Sequence, residues 1–160
     1  MKIVNYDCLV NVNVVEYSKG PIAYKKSKFR NEKMRKNLLL KAQQNMKTGA
    51  WAEKNEFFDV AVSRFYYALY EKILYISKKE GFYSTPPIDA PHNYTLKKFK
   101  ENILKKLGDE DRAWIAHLGK LKKCRVCADY EEDIIVDTRD FNLTFKAYYN
   151  SISEILEKFI

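Results

Sequence analysis

The residues most able to do chemistry lie near residue 130, in the segment LGKLKKCRVCADYEE. Arg125 falls on the apolar stripe of its predicted helix, seven residues after Leu118 and three before Ala128. We therefore expect Arg125 to be buried or to face a cleft, rather than to point into bulk water. Asp129 follows four residues later, so an ion pair within the helix is also available to Arg125.

The chain contains two histidines, His92 and His117, and histidine is the side chain whose ordinary pKa suits proton transfer near neutral pH. His117 precedes Arg125 by eight residues, about two turns of the same predicted helix. His92 lies where a proline-containing loop meets the next helix. Either histidine could take part in chemistry, and a plain structural or surface role is the alternative for both.

A second group of polar residues lies on a long helix predicted at 55–79, which has apolar residues on most sides and is therefore expected to be central. Asp59, Ser63, Tyr66 and Tyr70 recur at intervals of four, three and four residues, so they form one stripe. This stripe predicts either core tyrosines with satisfied hydroxyls or one wall of a cleft for RNA or a nucleotide.

A neighbouring arginine on the same helix, Arg64, has two acidic residues within expected reach. The simplest partner for its charge is Asp129 or Glu71.

The positive charge of the chain is concentrated in its N-terminal part. The net charge is +8, and residues 1–50 carry 11 Lys and Arg against 3 Asp and Glu. A localised basic surface favours an anionic partner such as RNA, although a solvated lysine-rich surface has the same composition. The candidate RNA-binding residues are Lys25, Lys26, Lys28, Arg30, Lys122 and Lys123.

Other features limit the function classes. The sequence lacks an apolar run long enough for a membrane span and the continuous apolar core of a signal peptide, so we expect a cytoplasmic protein that does not bind a membrane. Cys8, Cys124 and Cys127 fit free thiols better than a disulfide framework or a zinc site, since no second cysteine pair follows. We expect no cofactor and no metal.

Hydrophobic periodicity predicts an all-α antiparallel bundle of about five helices. The predicted helices are 31–48, 55–79, 93–107, 111–130 and 140–159. Gly49 is expected to end the first helix, and Asn55 to cap the second. Lys78 and Lys79 before Gly81 are typical of a helix C-terminus.

The region before the bundle is harder to interpret. We predict a basic N-terminal extension over 1–33 and the bundle over 34–160. Residues 1–20 suggest a short strand or an extended apolar segment. The aromatic residues Tyr24 and Phe29 alternate with basic ones, which suits single-stranded RNA, and an arm packed on the bundle is the alternative.

Two motifs occur together in a recognisable order. Residues 61–72, AVSRFYYALYEK, lie on the second predicted helix, and Arg125 to Tyr130 lie on the fourth, with His92 between them. This combination resembles the HEPN domain family over about residues 35–160. In the most similar branch, one helix carries A-x-S-x-x-Y-Y-A and a later helix carries R-x-x-A-D-Y. The matching residues are Ala61, Ser63, Tyr66, Tyr67, Ala68, His92, Arg125, Ala128, Asp129 and Tyr130.

HEPN domains are small helical bundles found in toxin–antitoxin, CRISPR-associated and phage-defence systems. The resemblance implies that this chain, like most members, forms a dimer with an arginine-bearing cleft between the subunits. Active members cleave RNA without a metal through an R-x(4–6)-H motif. Carried onto this chain, Arg125 would stabilise phosphate charge, with Asp129 and Tyr130 beside it in the catalytic group. The motif departs at Tyr130, because tyrosine stands where a histidine is expected.

Two functions from different classes follow from this resemblance. The first is an RNA-acting protein of a toxin–antitoxin or phage-defence system, either an endoribonuclease or an RNA binder, and the family pattern implies a homodimer. Its cleft would be supported by Ser63, Arg64, Tyr66, Tyr67, His92 and His117. The second is a non-catalytic interaction module that pairs with a nucleotidyltransferase, an antitoxin or another larger protein, and it rests on the missing motif histidine.

Overall fold

The computed structural model describes the backbone of residues 21–131 and 135–160, and the side chains of residues 31–131 and 135–160. Within these residues the regular structure is entirely helical, which confirms the predicted all-α bundle. The elements are α1 (Pro21–Lys54), α2 (Phe58–Lys79), α3 (Pro91–Ile103), α4 (Asp109–Ala116), α5 (Leu118–Tyr130), α6 (Thr138–Asp140) and α7 (Ala147–Glu157). None of the described helices is both long and apolar enough to cross a membrane.

Helix α2 is the centre of the bundle, as its apolar residues on several faces predicted. It packs against α1 along its length and also contacts α3, α5 and α7. Its buried residues include Val62, Phe65, Leu69 and Ile73, which join the core formed with α3, α5 and α7. Asp59 lies in its first turn, where a negative charge is favoured, and Lys78 and Lys79 lie in its last.

Helix α1 is longer than predicted, and two of the expected boundary signals were wrong. Gly49 lies inside α1 rather than after it, and α1 ends at Lys54. Asn55 does not cap α2, because its side-chain amide donates to the carbonyl of Trp51 at 2.8 Å and Phe57 occupies the position before α2. The glycine is tolerated in the helix because α1 and α2 approach closely there.

The fourth and fifth predicted helices are interrupted. His117 lies at the junction between α4 and α5, so the helix predicted at 111–130 is two helices with a break. Asp109, Glu110 and Asp111 form the first turn of α4, as expected. In the last helical segment, π-helical turns at Phe141–Lys146 connect α6 to α7.

The predicted boundary between the N-terminal extension and the bundle, at residues 33 and 34, lies within α1. The strand or extended segment predicted for residues 1–20 lies outside the described residues. The division into an extension and a bundle therefore stays a prediction.

Gly49 provides a test of the α1–α2 packing. A Cβ atom on Gly49 would lie 3.0 to 3.1 Å from three ring atoms of Phe65. Phe65 is only 2% exposed and its ring is held by Tyr149, with ring centroids 4.7 Å apart. Gly49→Ala should lower the free energy of unfolding by about 1–2 kcal/mol, because overpacking outweighs the gain in helix propensity.

Urea denaturation monitored by circular dichroism measures this change. The matched control is Gly119→Ala inside α5, where an added Cβ meets nothing within 4 Å. The control should be more stable by roughly 0.5–1 kcal/mol. Equal stabilisation by both substitutions would contradict close packing at Gly49.

Candidate functional site

Arg125 lies in the contact between α5 and α2, where several polar groups surround it. Its side chain is 14% exposed, as its position on the apolar stripe predicted. Nη2 donates to the hydroxyl of Tyr67 at 2.5 Å and to that of Tyr130 at 3.2 Å. The guanidinium carbon also lies 5.1 Å from the ring centroid of Tyr67 and 5.0 Å from that of Tyr130. The two tyrosines thus hold Arg125 through hydrogen bonds and cation–π contacts.

Asp129 is the ion-pair partner of Arg125. Oδ2 of Asp129 lies 2.7 Å from Nε of Arg125, as the spacing of four residues predicted. Nε of Arg125 is buried and has no hydrogen-bond partner among the described residues, because its N–H bond does not point at this oxygen. The contact is therefore an ion pair without a hydrogen bond. Ser63 on α2 donates to the same carboxylate oxygen at 3.4 Å.

His92 lies beside this arginine in a cluster of tyrosines. Pro91 and His92 begin α3, and the His92 ring stacks on Tyr70 with centroids 4.2 Å apart. Nδ1 of His92 lies 3.1 Å from the hydroxyl of Tyr66. The His92 ring is also nearly perpendicular to that of Tyr67, at an angle of 80° with centroids 6.0 Å apart. Tyr67 therefore contacts both His92 and Arg125.

The surroundings of His92 favour its neutral form. Burial lowers the pKa of His92 from its ordinary value, and the positive charges of Arg125 and Lys122 lower it further. The imidazole is therefore neutral at physiological pH, and it is able to accept a proton. The contact with Tyr66 suits either tautomer, because a phenol can both donate and accept a hydrogen bond.

Burial also keeps the neighbouring tyrosines protonated. It raises the pKa of Tyr66 far above its ordinary value, with a further contribution from Tyr70. Burial likewise raises the pKa of Tyr70, although the hydrogen bond to Thr95 acts in the opposite direction. Tyr66 therefore supports His92 through a hydrogen bond and Tyr70 supports it through ring stacking, and neither acts as an acid or a base.

The structure separates two of the residues expected at this site. Arg64 is exposed and forms no ion pair within the described residues, and Asp129 pairs with Arg125 instead, so the expected pairing of Arg64 was wrong. His117 lies at the α4–α5 junction against Tyr148, with ring centroids 4.6 Å apart. A helix break moves His117 off the predicted continuous helix and into a different cluster of side chains, together with Trp114.

The candidate RNA-binding lysines fall in two places. Lys122 and Lys123 lie on α5, and Lys122 donates to Oδ1 of Asn93 on α3 at 2.5 Å. The other four residues, Lys25, Lys26, Lys28 and Arg30, lie in the first turns of α1, and their side chains lie outside the described part.

Sequence reasoning missed Asn93 and Thr95, the residues of α3 that contact the site. Thr95 accepts from the hydroxyl of Tyr70 at 3.4 Å. Both residues follow His92 within one turn of α3, which is the signal that could have drawn attention to them.

Comparison of the chain with protein-family models, with curated proteins and with solved structures finds no match in any of the three. The chemistry of the site therefore rests on its own geometry. That geometry combines a fixed guanidinium, a neutral imidazole and several phenol hydroxyls around one junction of α2, α3 and α5.

The pKa of His92 provides a direct test of this arrangement. Because the charges of Arg125 and Lys122 help to lower it, Arg125→Gln and Lys122→Gln should each raise the pKa of His92 toward its ordinary value. The pKa of His92 in the unmodified protein should lie below the ordinary histidine value, because burial lowers it before these charges do. NMR titration of the imidazole Cε1 protons measures this, with His117 as an internal control.

The pKa of His117 should not respond to Arg125→Gln. Burial lowers this pKa first, and the charges that lower it further are those of Lys120 and Lys100. An unmodified His92 that titrates above the ordinary histidine value would contradict the arrangement.

Proposed function

We propose that this chain acts on RNA as a HEPN-like protein of a toxin–antitoxin or phage-defence type, and that Arg125 and His92 bind and cleave a phosphodiester bond without a metal ion. One observation carries the proposal. Tyr67 accepts a hydrogen bond from the guanidinium of Arg125 and forms a T-shaped aromatic pair with His92, so a positive group and a proton-transfer group share one support. Both kinds of group accelerate the cleavage of RNA by its own 2′-hydroxyl.

The reaction assigned to this site is transesterification. The 2′-oxygen attacks the adjacent phosphorus, the bond to the 5′-oxygen breaks, and a 2′,3′-cyclic phosphate and a free 5′-hydroxyl form. His92 accepts the proton of the 2′-hydroxyl and, as the imidazolium, returns that proton to the departing 5′-oxygen. Arg125 stabilises the extra negative charge on the phosphate oxygens in the transition state.

Tyr130 occupies the motif position at which the family has histidine. It is 67% exposed, and its hydroxyl lies 3.2 Å from Nη2 of Arg125. An exposed phenol in this position can donate a hydrogen bond to a phosphate or ribose oxygen that Arg125 has bound. In this proposal the proton-transfer role passes from the motif position to His92.

A second candidate function is a non-catalytic HEPN-like module that pairs with a nucleotidyltransferase or another larger protein. A specific observation favours it. The guanidinium of Arg125 already contacts Asp129, Tyr67 and Tyr130, so its charge is partly neutralised within the chain. An arginine in this state can serve to fix α5 against α2 rather than to bind a substrate.

Arg125→Ala distinguishes the two functions. We expect purified protein to degrade single-stranded RNA in EDTA, and we expect Arg125→Ala to slow cleavage by about 10²–10³-fold, because the charge that stabilises the transition state is lost. Gel analysis of labelled RNA measures the rate, and circular dichroism checks the fold. The matched control is Arg112→Ala, since Arg112 is an exposed arginine that pairs with Asp109.

Cleavage that survives Arg125→Ala, or that EDTA abolishes, would overturn the catalytic proposal. A protein that cleaves no RNA but forms a stable complex with a nucleotidyltransferase encoded beside it would favour the second function.

Both functions include a homodimer, and the exposed apolar residues near the site suggest which surface forms it. Val60 is 44% exposed and Ile135 is 83% exposed. The backbone N–H of Val136 donates to Asp59 at 3.1 Å, which fixes Ile135 near the start of α2, where Val60 lies.

Ile135→Asp should therefore shift a dimer toward the monomer by at least an order of magnitude in the dissociation constant, because it places a charge in an apolar contact. Light scattering over a concentration series measures this shift. Leu40→Asp, an exposed apolar residue on α1, is the control and should leave the dimer intact. A monomeric unmodified protein would contradict the dimer.

A further inference from the structure

A groove between α3 and α5 adjoins the Arg125 and His92 site. It has a volume of about 640 Å³. The residues of α3 on its wall recur three and four apart, and those of α5 do the same, so each helix presents one face to the groove. Its polar lining consists of Asn93, Lys97, Lys100, Glu101, Lys122 and Lys123.

The charge of this groove is strongly positive. Four lysines line it against one carboxylate, Glu101, which lies 3.2 Å from Lys98 on the outer face of α3. Lys97, Lys100 and Lys123 form no ion pair within the described residues. Positive groups concentrated in a concave surface attract a polyanion more strongly than the same groups on a flat surface.

The groove is continuous with the site through one hydrogen bond. Asn93 directly follows His92 on α3. Lys122 precedes Arg125 by three residues on α5, so the Cβ atoms of Lys122 and Arg125 lie about 5–6 Å apart. Lys122 donates to Asn93 at 2.5 Å, so this pair joins the end of the groove to the site. The charge of Lys122 also lowers the pKa of His92, as expected for neighbours.

We infer that the α3–α5 groove binds the phosphate backbone of single-stranded RNA next to the phosphodiester held at Arg125 and His92. This inference rests on the proposed function, and it adds the path of the strand. Lysines suit this role, because they neutralise phosphates as mobile point charges without demanding a particular base. A groove of this volume accommodates a ligand of drug-like size, and therefore a short piece of single strand rather than the body of a duplex.

The apolar part of the lining supports a strand rather than an isolated phosphate ion. Leu96 is buried at the base of the groove, and Leu104 and Val126 are partly buried there. These side chains offer an apolar surface to a ribose or a base, while the lysines lie beside them. An inorganic anion would use only the charged part.

Gly119 allows the groove to be altered without damage to the fold. It lies on α5 within the lining, and a Cβ added there meets nothing within 4 Å. Gly119→Glu, Gly119→Gln and Gly119→Lys therefore place a negative, a neutral and a positive side chain in the groove. All three should favour the helix over glycine, and circular dichroism of each variant checks that the fold is kept.

The test measures the affinity of a fluorescein-labelled single-stranded RNA by anisotropy over a series of salt concentrations. We expect Gly119→Glu to bind about fivefold more weakly than Gly119→Gln and Gly119→Lys to bind more tightly, since one charge near a phosphate is worth about 1 kcal/mol in water. The triple change of Lys97, Lys100 and Lys123 to Gln should reduce the slope of log affinity against log salt concentration by about two. The matched triple control is Lys36, Lys41 and Lys47 to Gln on α1, which should keep the slope.

Three further outcomes separate this inference from the proposed function. Equal RNA affinity for all Gly119 variants, with cleavage still dependent on Arg125, would overturn the groove and leave the function intact. No RNA binding by the unmodified protein would overturn both. Binding of poly-glutamate that follows the Gly119 series, with RNA affinity unchanged, would overturn RNA in favour of an acidic protein partner.

Discussion

The hydroxyl groups on the buried helix α2 are the constraint on which the rest of the structure depends. A helix buried on most sides cannot leave hydroxyls without partners, because each unpaired group costs about 1–3 kcal/mol. Ser63, Tyr66, Tyr67 and Tyr70 meet this requirement by reaching out to other helices, namely to Asp129, His92, Arg125 and Thr95. Helices α3 and α5 are thereby fixed against α2 by polar contacts as well as by apolar packing.

This constraint explains why the candidate chemistry occurs at the junction of the three helices. The groups that satisfy α2 are those able to bind or transfer charge, and their positions follow from the tyrosines that hold them. Stacking on Tyr70 orients the ring of His92, and Tyr67 pairs with both this ring and the guanidinium of Arg125. The result is a preorganised arrangement, and in the proposed function it would need little reorganisation to bind a phosphate.

The same contacts bear on both candidate functions. Asp129 and two tyrosines limit the charge that Arg125 can offer to a ligand, while they also fix its direction. Net attraction of an anion must then come from neighbouring groups. The lysines of the α3–α5 groove supply that charge, and Lys122 connects them to the site.

The sequence predicted the helical class and the side of α5 that Arg125 occupies, because both follow from apolar periodicity. It also identified Ser63, Tyr66 and Tyr67 with Arg125 as one group. The role of Gly49 could not be predicted, since a glycine after an apolar run signals either a helix end or a close approach, and only the position of Phe65 decides between them. The location of His92 depended on the path of the loop before α3. His117 required a helix break at residue 117, and the nearby Gly119 does not mark it, because Gly119 lies inside α5.

We expect RNA to bind at the junction of α2, α3 and α5 that carries His92 and Arg125. The most direct measurement is NMR of the unmodified protein during titration with a 2′-O-methyl single-stranded RNA, which binds but lacks the attacking hydroxyl. We predict large shifts of the His92 imidazole signals and of the backbone amides of Asn93 and Lys122, with His117 unchanged. Shifts confined to His117 and its neighbours, or no shifts at saturating RNA, would contradict the claim.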